Sequence, residues 1–202
     1  MARPRTDIKL RIQHAARKHF LLQGVDGASL RTIAREARTN VGMIYYYFKT
    51  KDDLFLAVVE EVYEKLLAEL DEVLGRKEPL RGKLEKLFVR VGSASPEERD
   101  VVRLVVREAL TSTTRFERIF MRFQEGHVGL LFRAFADAVA AGEIDASVPL
   151  PMLVIPALAM GGIPQMLRHA AGDRPPFSLL PEQGALAKLS VDVLFRGIAP
   201  PR

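Results

Sequence analysis

Residues 29–55 read SLRTIAREARTNVGMIYYYFKTKDDLF, and the fold turns on how they are interpreted. Leu30, Ile33, Ala34 and Ala37 recur at the i, i+3, i+4, i+7 spacing that gathers side chains on one side of a helix. Ser29 stands where an N-cap belongs, its hydroxyl able to accept from a free first-turn N–H. Arg38, Thr39 and Asn40 interrupt the pattern, and Asn40 is placed to cap a second short helix with Ile44 and Phe48 on its buried side. The segment predicts helix, tight turn, helix.

Tyr45, Tyr46 and Tyr47 follow one another directly. Successive residues of a helix lie about 100° apart, so one or two of the phenols must point outward. There the hydroxyl can donate to phosphate oxygens while the ring lines a groove wall. Lys51 opens the next helix, and its ammonium and that helix's first N–H groups would face the same anion. Phosphate contacts on both sides of a short helix suggest docking in a major groove.

The pattern Ser29…Ile33-Ala34…Ala37…Asn40-x-Gly42-x-Ile44-Tyr45-x-Tyr47-Phe48-x-Thr50-Lys51-Asp52-x-Leu54 resembles the signature of TetR-family transcriptional regulators. The likeness spans roughly a quarter of the chain, and its many fixed offsets make it specific. It implies that the second short helix is the recognition helix and that the rest of the chain is a helical dimerisation and ligand domain. Arg38 departs from the family, most of whose members have glycine there. A side chain in a left-handed turn costs on the order of 1 kcal/mol, which a phosphate contact of the Arg38 guanidinium would offset. Val41, Gly42 and Met43 offer no side-chain hydrogen-bond donors, so base reading would rest on apolar contact, Thr39, Asn40 and the tyrosines, with much of the specificity in DNA shape. The candidate DNA-contacting residues are therefore Ser29, Arg38, Thr39, Asn40, Val41, Gly42, Met43, Tyr45, Tyr46 and Lys51.

Charge supports a polyanionic partner. Residues 1–51 hold eleven Lys and Arg against three Asp and Glu, whereas the remainder is slightly acidic, within a net charge of +5. A basic face alone is usually just solvated; joined to a helix-turn-helix it favours double-stranded DNA and salt-sensitive binding. The chain has no cysteine, which removes disulfides and thiolate metal ligation and is compatible with a cytoplasmic location. The basic start, with Arg3 and Arg5, lacks a following apolar run, so neither signal peptide nor anchor is expected. Arg3 and Arg5 are instead either a minor-groove arm or a frayed terminus.

The expected fold is all-α: a three-helix helix-turn-helix DNA-binding domain over residues 1–51, then a helical ligand-binding and dimerisation domain over 52–202, about nine helices in all. A first helix over 7–23 carries Ile8, Ile12, Ala15, Ala16 and Phe20 and stops at Gly24. A connecting helix runs over 52–75, and five more follow near 79–94, 96–113, 115–141, 150–171 and 181–198, with Pro79, Pro96, Pro149, Pro151 and Pro181 near their starts. Gly172 to Leu180, with Asp173, reads as a loop. His14 and His19 read as surface or core-edge residues rather than metal ligands, and Glu60, Glu61 and Glu64 as a solvated helix face.

Met152 to Ile163 is apolar on every side but shorter than the about twenty residues of a membrane span. No membrane partner is expected. With the stripe Leu186, Leu189, Val193 and Leu194, and with Ala157, Gly161 and Gly162 allowing close approach, it would build a homodimer interface, the alternative being an ordinary monomeric core. Phe116, Phe120 and Phe123 are either core or the lining of a cavity for a largely apolar small-molecule effector, and Gly126 and Gly129 around His127 mark close packing, a local break or a ligand approach. Arg103 and Arg107 either bind an acidic group of that effector or form an outer face. The candidate ligand residues are Arg107, Phe120, Phe123 and His127. No nucleophile elbow, HExxH, Walker loop or dinucleotide fingerprint is present, so no enzyme activity and no cofactor are expected. The functional expectation is a ligand-responsive repressor; the alternative is a helical ligand-binding or enzymatic domain whose helix-turn-helix serves protein contacts.

Overall fold

The computed structural model describes residues 5–172 and 174–198, without the side chains of Arg5, Thr6, Gly197 and Ile198. The proposed arm residue Arg3 and the loop residue Asp173 lie outside the described residues, as does the side chain of Arg5. Helices account for the architecture, with no strand among the described residues. They are α1 (Arg5–Gly27), α2 (Leu30–Glu36), α3 (Val41–Tyr47), α4 (Lys51–Leu74), α5 (Leu80–Gly92), α6 (Pro96–Thr111), α7 (Thr113–Phe123), α8 (Gly129–Ala140), α9 (Leu150–Ala171) and α10 (Gln183–Ile198). A π turn, Gln124–Val128, joins α7 to α8, so these two occupy the place of the single helix expected over 115–141. Gly126 there has φ −96° and ψ −123°, which selects the local break among the three readings of the glycines around His127.

The chain packs as two compact units, Met1–Leu66 with Ser95–Arg122, and Leu67–Ala94 with Phe123–Arg202. In the first, the apolar stripe of α1 (Ile12, Ala16, Phe20) meets Ile33 and Ala34 of α2, Ile44 of α3 and Leu54, Phe55 and Val58 of α4, all buried. Phe20 and Phe55 meet edge to face with centroids 6.5 Å apart. Gly24 has φ 75°, as its role as a stop requires, yet one further turn follows to Gly27. A Cβ at Gly24 would also lie 2.6 Å from the Arg107 guanidinium, so two constraints select glycine there. Helix α6 begins with a complete capping box: the Ser95 hydroxyl accepts from Glu98 N–H at 3.2 Å, and the Glu98 carboxylate accepts from Ser95 N–H at 2.7 Å.

The acidic face expected on α4 is only partly solvated. Glu60 accepts from Nε and Nη2 of Arg122, whose guanidinium also lies 4.7 Å from the Tyr63 ring centroid, and Glu61 sits 3.0 Å from Nε2 of His14. Long-range partners on α7 and α1 recruited two of the three carboxylates, which helix periodicity alone does not reveal.

In the second unit α9 packs against α5, α8 and α10. Its length and mean hydropathy of 1.6 over 18 residues match a membrane span by composition, but its surface is divided rather than uniform. Leu153, Val154, Ala157, Gly161 and the polar Gln165 are buried, while Met152, Ile155, Ile163 and Met166 are exposed. This corrects the assignment of Ala157, Gly161 and Leu186 to an intersubunit surface. All three are buried within the chain, and Gly161 lies so close to Phe88 of α5 that a Cβ would sit 2.5 Å from the ring. Gly161→Ala is expected to cost about 1–3 kcal/mol by overpacking. Gly162→Ala, with no atom within 4 Å of the added carbon, should instead gain up to about 1 kcal/mol from helix propensity. Urea unfolding of the two variants checks the opposite signs.

Candidate nucleic-acid interface

Helix α2 ends in a motif whose backbone bonds dictate the following turn. Thr39 N–H donates to Ala34 O at 2.9 Å and Arg38 N–H to Arg35 O at 3.1 Å, the paired bonds of a Schellman motif. That geometry requires a left-handed residue after the cap, and Arg38 occupies it with φ 52°. Asn40 then caps α3, its Oδ1 accepting from Met43 N–H at 3.0 Å. A Cβ at Gly42 would lie 3.1 Å from that oxygen, so glycine leaves the cap room. Ser29 departs from expectation: its backbone is extended at the N-cap position of α2, but its exposed hydroxyl makes no capping bond.

Helix α3 buries Ile44 and is anchored by Phe48, which turns its opposite side outward. Tyr45 is 54% exposed and Tyr46 64%; Tyr47 is half-buried, with the Tyr46 ring edge-on 5.0 Å away. Val41, Met43 and Thr39 are half-buried, and Arg38, Asn40 and Gly42 are exposed. Lys51 does not stand free as a phosphate clamp: its Nζ donates to Asp26 O at 3.0 Å, tying the start of α4 to the end of α1. The N-terminus of α4 is also closed, by reciprocal 3.0 Å bonds between Thr50 and Asp53.

Most cations of this unit outside this face are paired, Lys9 and Lys65 being exposed exceptions among the described residues. Arg17 pairs with Glu97, Lys18 with Glu36, Arg103 with Asp100, Arg118 with Asp53 and Arg122 with Glu60. Arg31 and Arg35 on α2, Arg38 in the turn and Lys49 after α3 are exposed and make no ion pair or hydrogen bond through their side chains among the described residues. Arg31, Arg35 and Lys49 are not among the residues that the sequence pattern singles out. The signal was in the sequence, as basic residues one turn apart on the face of α2 opposite Ile33 and Ala34, but their freedom shows only once the other cations are seen paired.

Behind the face lies a buried charge cluster. Arg115, 4% exposed, donates from Nη1 to Asp26 at 3.1 Å and to Asp52 at 3.0 Å, and from Nη2 to Asp26 at 2.6 Å. Its Nε lies 2.9 Å from Glu108, an ion pair rather than an aligned hydrogen bond. Glu108, 2% exposed, also accepts from Val25 N–H at 3.2 Å. Hydrogen bonds from Arg115, reinforced by its charge and that of Lys51, hold the Asp26 carboxyl below the usual range against the opposing effect of burial. Those from Arg118 and Thr50 lower Asp53 in the same way, and those from Lys18 and His19 lower Glu36.

Comparisons with known proteins agree with this geometry. Residues 12–58 match the family model described as bacterial regulatory proteins, tetR family. The chain is 30% identical over 168 residues to the HTH-type transcriptional repressor SCO4008 of Streptomyces coelicolor, covering 81% of this chain and 83% of that protein. The chain belongs to the TetR family.

A shorter match is to the HTH-type transcriptional repressor NicS of Pseudomonas putida, 42% identical over 52 residues, 26% of this chain and 24% of that one. Two solved structures share the fold of this TetR-family regulator. FadR of Bacillus subtilis in complex with stearoyl-CoA superposes with TM-score 0.73 at 18% identity, covering 94% of this chain and 98% of that one. The ketosteroid regulator KstR2 of Mycobacterium tuberculosis does so with TM-score 0.66 at 15% identity, covering 100% and 98%. The chain is thus a DNA-binding transcriptional regulator, and its relatives are regulators rather than enzymes.

The structure does not gather the four candidate ligand residues of this TetR-family protein. The Arg107 guanidinium donates to Leu21 O at 3.3 Å, over Gly24, and with the exposed Arg103 it forms an outer face. Arg107 is therefore withdrawn from the ligand set. Phe120, half exposed, stacks on Phe116 with centroids 5.8 Å apart, and Phe123 meets the His127 ring at 4.9 Å. A surface cleft of about 470 Å³, lined by Asp7, Arg11, His14, Glu36 and Arg38, contains none of them.

Two consequences are measurable. Arg38→Gly should raise stability by about 1 kcal/mol by relieving the left-handed residue, while weakening DNA binding and reducing the salt slope by about one per bound head. A thermal melt and a salt series of DNA titrations read both. The lowered carboxyls of Asp26 and Asp53 contribute stability that is full above the ordinary carboxylate pKa of about 3.9 and is lost as pH falls through their lower folded values. Asp26→Asn should therefore flatten the acid limb of a stability–pH curve, less so in high salt because Asp26 is largely exposed.

Proposed function

We propose that this protein is a ligand-responsive repressor that binds a near-palindromic operator as a homodimer and is released by a small, largely apolar effector. The observation that carries the reading is the concentration of unpaired cations (Arg31, Arg35, Arg38, Lys49) around the exposed phenols of Tyr45 and Tyr46. Such a face suits phosphate and groove contacts, with Ser29, Thr39, Asn40, Val41, Gly42 and Met43 at or beside the reading surface. Residues 1–51 serve as the DNA-binding domain and 52–202 as the domain that dimerises and receives the effector, and the protein acts in the cytoplasm.

The dimer is supported by what α9 and α10 leave uncovered. Met152, Ile155, Ile163 and Met166 on α9 and Leu189 and Val193 on α10 are all about half exposed or more, an apolar expanse that an isolated subunit would present to water. Leu189 and Val193 stay in the interface assignment, and the α9 residues replace Ala157, Gly161 and Leu186. The effector reading keeps Phe120, stacked on Phe116 in the first unit, and, within the second unit, Phe123 beside His127, rings of the kind that an apolar ligand contacts. The two proteins of like fold, one solved with stearoyl-CoA and one named for ketosteroids, are consistent with that class.

With heads about 34–36 Å apart or a multiple of that, two half-sites are engaged at once. Four free cations per head predict a slope of log affinity against log salt of roughly −7. Gel shifts across a salt series on duplexes from the protein's own promoter region measure it; a flat response would overturn the DNA-binding role. Leu189→Asp with Val193→Asp should convert a sedimenting dimer to a monomer and weaken operator binding by more than tenfold, at about 1.4 kcal/mol per tenfold. Wild-type protein that sediments as a monomer at micromolar concentration would remove the dimer.

A further inference from the structure

Resting on the DNA-binding reading, we propose that Arg115 is a positioning residue for sequence-specific DNA recognition, holding both ends of the helix-turn-helix through Asp26 and Asp52. Asp26 lies in the last turn of α1, just before α2, and Asp52 lies in the first turn of α4, just after α3. One Nη1 donates to both carboxylates, at 3.1 and 3.0 Å, while Nη2 takes the second oxygen of Asp26 at 2.6 Å. A planar fork can bridge two acceptors in this way; the point charge of a lysine cannot hold the same geometry. Lys51 adds a second tie between the same two segments through Asp26 O.

The clamp is also fixed from behind. Glu108 contacts Nε of Arg115 and accepts from Val25 N–H, so α6 holds the guanidinium and the end of α1 together. Arg107, 3.9 Å from Glu108, and Lys51 bring the cluster to three cations against three carboxylates, Asp26, Asp52 and Glu108. None of these contacts stabilises α2 or α3 internally. They set the distance and angle between the two segments from which the seven-residue helices α2 and α3 hang. Base-edge contacts depend on that placement, whereas binding to any phosphate backbone depends mainly on the free cations.

The test uses the full-length protein, a duplex enriched by the wild type from a randomised library, and an unrelated duplex of equal length. Arg115→Met should lose at least about tenfold in affinity for the enriched duplex, in line with charge-assisted hydrogen bonds, and stay within about twofold on the unrelated one. Asp26→Asn should give a smaller loss of the same kind, and its combination with Arg115→Met should lose no more than Arg115→Met alone. Arg115→Lys should recover thermal stability without recovering the affinity ratio. The largely exposed Asp26 can be changed with two acidic partners of Arg115 remaining, so Asp26→Asn and Arg115→Lys decide the matter should Arg115→Met not fold. Equal losses on both duplexes, additive losses in the double variant, or full recovery by Arg115→Lys would each overturn the positioning role. A wild type that binds neither duplex refutes the DNA-binding reading itself, a separate result.

Discussion

The buried guanidinium of Arg115 is the contact on which the geometry of the head depends. Burying a charge costs several kcal/mol unless partners replace water on every side, and here three carboxylates do so. The buried Glu108 is the partner that cannot be displaced without leaving charge uncompensated, whereas the more exposed Asp26 and Asp52 set direction. Helices as short as α2 and α3 are not stable alone, since nucleation outweighs the few bonds they close. Their stability comes from Ile33, Ala34, Ile44 and Phe48 packing onto α1 and α4, and their placement from the charge cluster flanking them.

Charge compensation elsewhere in the first unit defines the reading face by subtraction. Arginines on α1 and α7 meet acidic residues on α6 and α4, so their charge is neutralised where they stand. Among the described residues, and apart from Lys9 and Lys65, the exposed cations left without a partner lie on α2, in the turn after it and just after α3, the helix whose geometry forces Tyr45 and Tyr46 outward. Arg38 belongs to both accounts. The backbone bonds of the turn demand a left-handed residue, and this chain places a cation there.

The second unit solves a different problem, how to cover an apolar helix twenty-two residues long. One side is filled by neighbours in the same chain, so closely that Gly161 admits no side chain beside Phe88. The other side keeps Met152, Ile155, Ile163 and Met166 in the open, as α10 does Leu189 and Val193. A helix with one packed and one bare apolar face has its burial half complete within the chain, which is the feature that the proposed homodimer would use.

Local physics made much of this legible from residues alone. The i, i+3, i+4 spacing located α1, α2 and α4, and Asn40 and Gly24 marked a cap and a stop. Three adjacent tyrosines guaranteed exposed phenols and the charge count singled out the first quarter of the chain, whereas Gly126 marked an irregularity whose kind the sequence left open. Each depends on a few consecutive residues and fixed helical angles. Tertiary structure decided which cations are free, because their competitors are paired with partners 80 residues away in the case of Arg17 and Glu97, or 89 in that of Arg115 and Asp26. It also decided that Lys51 ties α4 to α1, that Arg107 sits on α1, and that Ala157, Gly161 and Leu186 face inward. Composition says how much apolar surface and charge a helix carries, but only the neighbours brought against it determine which side is used.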